Sequence, residues 1–162
     1  MKKTVDDIQV KGKKVLVIHP FADTILKQYS LNKEHLFPDE RVLPDFQLTV
    51  IKAVQSIGGK GAPGYTSWFE ALEYMKRQIK ERDFDIALLG CGAYGLPLAS
   101  YVKQMGKQAI YIGGALQLMF GISGKRWENK EHVSRYVNQH WVHPSIEETP
   151  ELYASVEAGC YW

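Results

Sequence analysis

The 162-residue chain has only two cysteines, Cys91 and Cys160, and neither belongs to a Cys-x-x-Cys pair. One potential pairing is too little for a disulfide framework, and the spacing offers no zinc site, so a reducing cytoplasm is the expected setting. No apolar run approaches the roughly 18 residues that a membrane span requires. Met1 to Gln9 is charged and has no apolar centre, which predicts no secretory leader. A strong charge bias is missing too. The net charge is +2, and the lysines are scattered apart from short clusters at Lys11–Lys14 and Lys125–Arg126. Nucleic-acid binding asks for a longer or denser basic run, so the expected partner is a small molecule.

What is present is an alternation of apolar strands and amphipathic helices. Lys13 to Pro20 contains four consecutive apolar residues, Val15 to Ile18, the pattern of a strand covered on both faces. Asp23 or Thr24 is the expected cap of a helix running through Ile25 and Tyr29 towards His35. Phe46 to Val54 reads as a second strand, followed by a glycine-rich loop, Gly58–Gly64. Ser67 and Glu70 have the spacing of a capping box and open a helix from Ser67 to about Arg82. Asp85 to Gly90 is a third strand, followed by a helix from about Tyr94 to Met105. Gln108 to Ile112 is a fourth strand and Ala115 to Phe120 a short helix. Glu131 to Trp141 is expected to be helical, and the tail 144–162 irregular until Glu151–Glu157. The fold expected is α/β: one Rossmann-like domain over 1–162, with an open parallel sheet of about four strands and helices on both faces. Residues 1–12 are its N-terminal extension.

The third strand ends in Gly90-Cys91-Gly92-Ala93-Tyr94-Gly95, a complete Gly-x-Gly-x-x-Gly opening a helix. Each glycine has a job in this context. The first allows a tight turn, the second lets backbone approach a ligand, and the third lets helix pack closely on strand. The helix N-terminus then offers N–H groups to a phosphate. Simple strand–helix packing explains the same glycines, and the sequence leaves both readings open. A dinucleotide site also needs an acid at the end of the next strand, about 20 residues on. That strand ends at Ile112-Gly113-Gly114 with no acid, which argues against nicotinamide cofactors.

Ligands of an open α/β sheet bind beyond the carboxyl ends of its strands. This rule gathers His19, the Gly58–Gly64 loop, Gly90, Gly92, Tyr94 and Gly95, and Gly113, Gly114 and Gln117 on one edge. His19 can donate to a phosphate, act as a base, or simply bond the backbone at its strand end. Lys125 and Arg126, set among glycines beside Trp127, are candidates for gripping a diphosphate, or else form a solvated turn. Asp83-Phe84-Asp85 precedes its strand and reads as a loop at the opposite edge. Cys91 lies at a helix start, where thiol pKa values fall, but no partner for it can be named. His132, His140 and His143 read as structural, and Tyr161-Trp162 as an aromatic tail docked on the core or on a partner subunit.

Several stretches carry a family likeness: Gly-Ala-Tyr-Gly-Leu-Pro-Leu-Ala at 92–99, Gly-Lys-Gln-Ala-Ile at 106–110, and Gly-Gly-Ala-Leu-Gln-Leu-Met-Phe-Gly-Ile at 113–122. Gly-Lys-Arg-Trp at 124–127 and Gly-Cys-Tyr-Trp at 159–162 complete it. In these the chain resembles bacterial surface-polysaccharide locus proteins, which are similar to the C-terminal half of D-type-fold (GT-D) glycosyltransferases. The resemblance implies a Rossmann-like fold and a nucleotide-diphosphate sugar ligand, with a divalent metal, manganese or magnesium. The Asp-x-Glu metal motif of those enzymes does not occur in these 162 residues, so no metal ligand carries over. Two functions are expected on this basis. One is a glycosyltransferase-like domain, with Lys125 or Arg126 neutralising the leaving group. The other is a non-catalytic nucleotide- or phosphometabolite-binding module that works as a homo-oligomer or with a partner chain.

Overall fold

The computed structural model describes residues 10–56, 61–155 and 157–162. Most of the expected N-terminal extension, and Gly58 to Lys60 of the glycine loop, lie outside the described residues. Four strands form one sheet: β1 (Lys14–His19), β2 (Gln47–Lys52), β3 (Ile86–Leu89) and β4 (Gln108–Tyr111), in the order β2-β1-β3-β4. Every pairing is parallel, with Val17 beside Val50 and Leu88, and Leu88 beside Ile110. The Rossmann-like open parallel sheet expected from the sequence is what the chain forms.

The continuous apolar runs follow from burial on both faces. In β1, Val15 and Val17 pack with Ile25, Leu36, Leu116 and Phe120 on the side of helix α1 (Ala22–Leu36). Leu16 and Ile18 turn to the other side, where Met75 and Ile79 of α2 (Trp68–Lys80) meet Leu98 and Val102 of α3 (Gly95–Gln104). The chain leaves β1 towards β2 but leaves β3 towards β4, in opposite directions along the sheet. Helices therefore fall on both faces, and the carboxyl ends of β1 and β3 diverge to leave a crevice.

Two local expectations need correction. Neither Asp23 nor Thr24 caps α1, whose cap position is Phe21 with no side-chain cap bond. The carboxylate of Glu148 caps it from the far end of the chain: Oε1 accepts from the backbone N–H of Asp23 at 2.8 Å and of Thr24 at 3.1 Å, and Oε2 from the Thr24 hydroxyl. A carboxylate there satisfies orphan donors and meets the positive end of the helix dipole. The second concerns Glu131–Trp141. Only Glu131–Ser134 is helical (α5), after the short α4 (Lys125–Glu128). Beyond it the polar groups serve another helix. Asn138 Nδ2 donates to the carbonyls of His35 and Leu36, and Trp141 Nε1 to that of Leu36, closing the C-terminus of α1.

The capping box of α2 forms with a shift of one residue. Ser67 Oγ accepts from Glu70 N at 3.1 Å, while Glu70 reaches back to Thr66 rather than to Ser67. Asp83 and Asp85 sit at the amino edge as expected, occupied with Lys14: Asp83 pairs with its ammonium and Asp85 accepts from its backbone N–H. The tail from Ile146 folds into short 3-10 turns rather than regular helix, and its last residues pack against Phe21 and the sheet edge. No helix of the described residues is long and apolar enough to cross a membrane.

Candidate functional site

The crevice between β1 and β3 is a real cleft of about 470 Å³. It lies at the point where strand order reverses, the position at which open α/β sheets bind ligands. His19 enters it from the end of β1. Gly90, Gly92 and Tyr94 enter from the turn after β3, and Gly114 and Gln117 from the turn after β4. Six of the expected site residues thus meet in one place.

The three glycines of the motif have different roles. A Cβ on Gly90 would fall 2.6 Å from His19 Cδ2 and 2.8 Å from the Gly113 carbonyl, so this position exists for close packing. One on Gly95 would fall 2.2 Å from the Tyr111 ring, whose hydroxyl donates to the Gly92 carbonyl at 3.0 Å. Tyr111 therefore covers the third glycine, and Gly95 itself does not line the cleft. Gly92 is the open one. It has a φ of +54° and nothing within 4 Å of where a Cβ would be. It begins a 3-10 turn, Gly92–Tyr94, that runs into α3, and the leading N–H groups of such a turn have no acceptor within it. Close packing thus requires Gly90 and Gly95, whereas Gly92 is open.

His19 is almost wholly buried, and loss of solvent pushes its pKa down to about 3. Its Nδ1 accepts from the Phe21 backbone N–H at 3.0 Å. The ring is therefore neutral with its proton on Nε2, a donor that has no acceptor among the described residues. Such a ring can donate to a ligand but is a poor base. Cys91, also in the wall, is governed by burial rather than by the helix start: its thiol is pushed up to about 12. The thiol is not a nucleophile at neutral pH.

Gln117 is fully buried. Its Nε2 donates to the Ile122 carbonyl at 3.2 Å and to the Tyr161 carbonyl at 3.3 Å, while Oε1 has no partner among the described residues. An unpaired buried acceptor costs about 1–3 kcal/mol.

Lys125 and Arg126 do not line the cleft. The Arg126 guanidinium donates to the Tyr161 hydroxyl, lies 5.1 Å from the centre of that ring, and pairs with Glu157 at 3.4 Å. Lys125 sits over the Tyr153 ring at 5.8 Å. Both hold the tail, and through it they shape the wall. Gly113 has a φ of +72° and stands behind Gly90. Gly61 borders an adjoining open hollow of about 800 Å³, beyond Pro20, Val54 and Gln55.

The Tyr161-Trp162 tail docks on the core as expected, and the wall residue not anticipated is Trp68. Trp68 stacks on Tyr94 at 5.0 Å with the rings 8° from parallel, and Ser56 hydrogen-bonds the Tyr94 hydroxyl. Phe21, Tyr161 and Trp162 form the opposite side, with Phe21 edge-on to Trp162 at 6.1 Å. Trp68 carries a weak signal in the sequence, since it follows the capping Ser67 at the carboxyl-edge end of its helix. Among the described residues no Asp, Glu, Lys or Arg lines the cleft, and no three His, Cys, Asp or Glu side chains converge as metal ligands. The donor set thus does not fit a resident divalent cation. No family model, curated protein or solved structure matches this chain.

Proposed function

We propose that this protein is a small-molecule-binding module that seats a nucleotide-diphosphate sugar, or a related phosphorylated metabolite, in the cleft between β1 and β3. One observation carries the reading. The open, left-handed Gly92 turn at the approach to α3 faces a neutral, donor-bearing His19 across a cleft walled by aromatic rings. Backbone N–H groups there favour an anionic oxygen. The rings suit a base or a sugar face. Transfer chemistry has less support, because no cation among the described residues of the wall would steady a departing diphosphate.

Titration with UDP-glucose, UMP and inorganic phosphate, each at millimolar concentration, tests this. The expected result is a raised melting temperature, corresponding to about 2.7 kcal/mol at a hundredfold excess over Kd, with no release of UDP. If none of the three binds, the reading fails.

A second reading is a glycosyltransferase-like domain of surface-polysaccharide assembly, and one contact favours it. Arg126 is hydrogen-bonded to the hydroxyl of Tyr161, a residue that lines the cleft. Rotation of Tyr161 would deliver a guanidinium to a bound diphosphate. Transfer or hydrolysis of UDP-glucose that is lost in Arg126→Gln would establish it.

A further inference from the structure

We propose that Gln117 sets the specificity of the cleft, its buried side-chain carbonyl accepting a hydrogen bond from an uncharged O–H or N–H of the ligand. The inference rests on the binding reading above. The orientation of the amide is fixed. Nε2 donates to two carbonyls, Ile122 and Tyr161, so turning the amide over would set oxygen against oxygen. Oε1 is left out of contact with water and without a donor among the described residues, although Gln117 is part of the cleft wall. Buried acceptors in folded proteins nearly always have partners, and a ligand group is a common reason for an exception.

The surroundings define that group. His19 supplies a neutral donor and, among the described residues, no charged side chain lines the cleft, so nothing beside Gln117 attracts an ion. A carboxylate oxygen, or a deprotonated phosphate oxygen, has no proton to offer and would repel Oε1. The cleft therefore has two unlike ends. Anionic oxygens belong at the Gly92 turn, and a neutral, proton-bearing edge belongs at Gln117. Because Oε1 has no exposed surface, the donor reaches it only as a wall gives way.

Two parts of a nucleotide sugar carry such a donor, the imide N–H of a uracil base and the hydroxyls of the glycosyl unit. The experiment pairs each probe with its donor-blocked form. UMP is compared with N3-methyl-UMP, and glucose 1-phosphate with analogues in which each hydroxyl in turn is replaced by fluorine. Calorimetry on the intact protein is expected to show one blocked analogue binding about tenfold more weakly or worse, and the difference vanishing in Gln117→Met. Glutamine labelled with carbon-13 at the side-chain carbonyl is expected to show the Gln117 resonance moving with the donor-bearing probe and not with its blocked partner. That measurement on the unaltered protein decides the matter even where the Met variant does not fold. Probes that bind without discrimination, or discrimination that survives in Gln117→Met, would overturn the role of Gln117 and leave the binding reading intact. Failure of every probe to bind would overturn the binding reading, and this inference with it.

Discussion

Replacing Glu148 by Ala should destabilise the protein more than any other single change at a charged residue of the tail. The carboxylate is buried and accepts from three groups at the start of α1. Loss of a helix cap costs about 0.5–2 kcal/mol. Hydrogen bonds to a charged acceptor contribute about 1.5–3 kcal/mol, but Asp23 is exposed, so its N–H regains water in the variant. Thr24 is buried and regains little. The sum comes to about 3 kcal/mol, with about 1 kcal/mol for Glu148→Gln, which keeps one carbonyl oxygen. For a domain of this size about 3 kcal/mol lowers Tm by roughly 6–12 °C. Urea unfolding followed by far-ultraviolet circular dichroism is the assay, with exposed Glu147→Ala as a control expected within about 0.5 kcal/mol of the parent. A Glu148→Ala loss below about 1 kcal/mol would refute the capping argument.

Three further outcomes are expected. Gly95→Ala should destabilise by about 1–3 kcal/mol because the new methyl group meets the Tyr111 ring at 2.2 Å; in a Tyr111→Ala background the same change should turn neutral or stabilising by up to about 1 kcal/mol, the helix preference of Ala over Gly, and equal costs in both backgrounds would contradict the packing role. Since His19 titrates near 3 when folded and near 6.5 when unfolded, its neutral form favours folding above pH 6.5, and that stability drains away as pH falls from 6.5 towards 3. At pH 5 the loss is about 2 kcal/mol, and urea midpoints against pH should be flatter by that amount in His19→Asn, which keeps an acceptor for the Phe21 N–H. With a disulfide-exchange reagent at pH 8, Cys160 should react first and Cys91 only as fast as the protein unfolds, given their difference in burial; prompt reaction of two thiols would refute it.

Legibility in the sequence followed the range of the interactions. β1, β3 and the Ser67 cap were readable because burial on both faces writes a continuous apolar run and a capping box spans four residues. The crevice was readable from strand order and the glycine turn. Glu148 was not, because it acts on residues 124 and 125 positions away. Asn138 and Trp141 look like part of a helix by spacing, and only the position of the α1 carbonyls shows why they leave it. Lys125 and Arg126 were singled out for charge, but charge alone does not say whether a guanidinium meets a ligand or a tyrosine. The aromatic walls escaped notice for a similar reason. Trp68 is an ordinary apolar residue in sequence, and although the Tyr161-Trp162 tail reads as docked, only the fold shows that the two tryptophans, nearly a hundred residues apart, wall one cleft.

The contacts between α1 and Glu148, and between Phe21 and Trp162, also order events in time. During synthesis β1 and α1 are made early, yet the helix start stays bare and the crevice lacks a side until the ribosome has released the segment around Trp162. The sheet can assemble while translation proceeds, whereas the cleft gains its full wall only once residues 148–162 have been made. Polypeptides halted upstream of Glu148 should accordingly gain strands without gaining the wall that Phe21 and Trp162 form together.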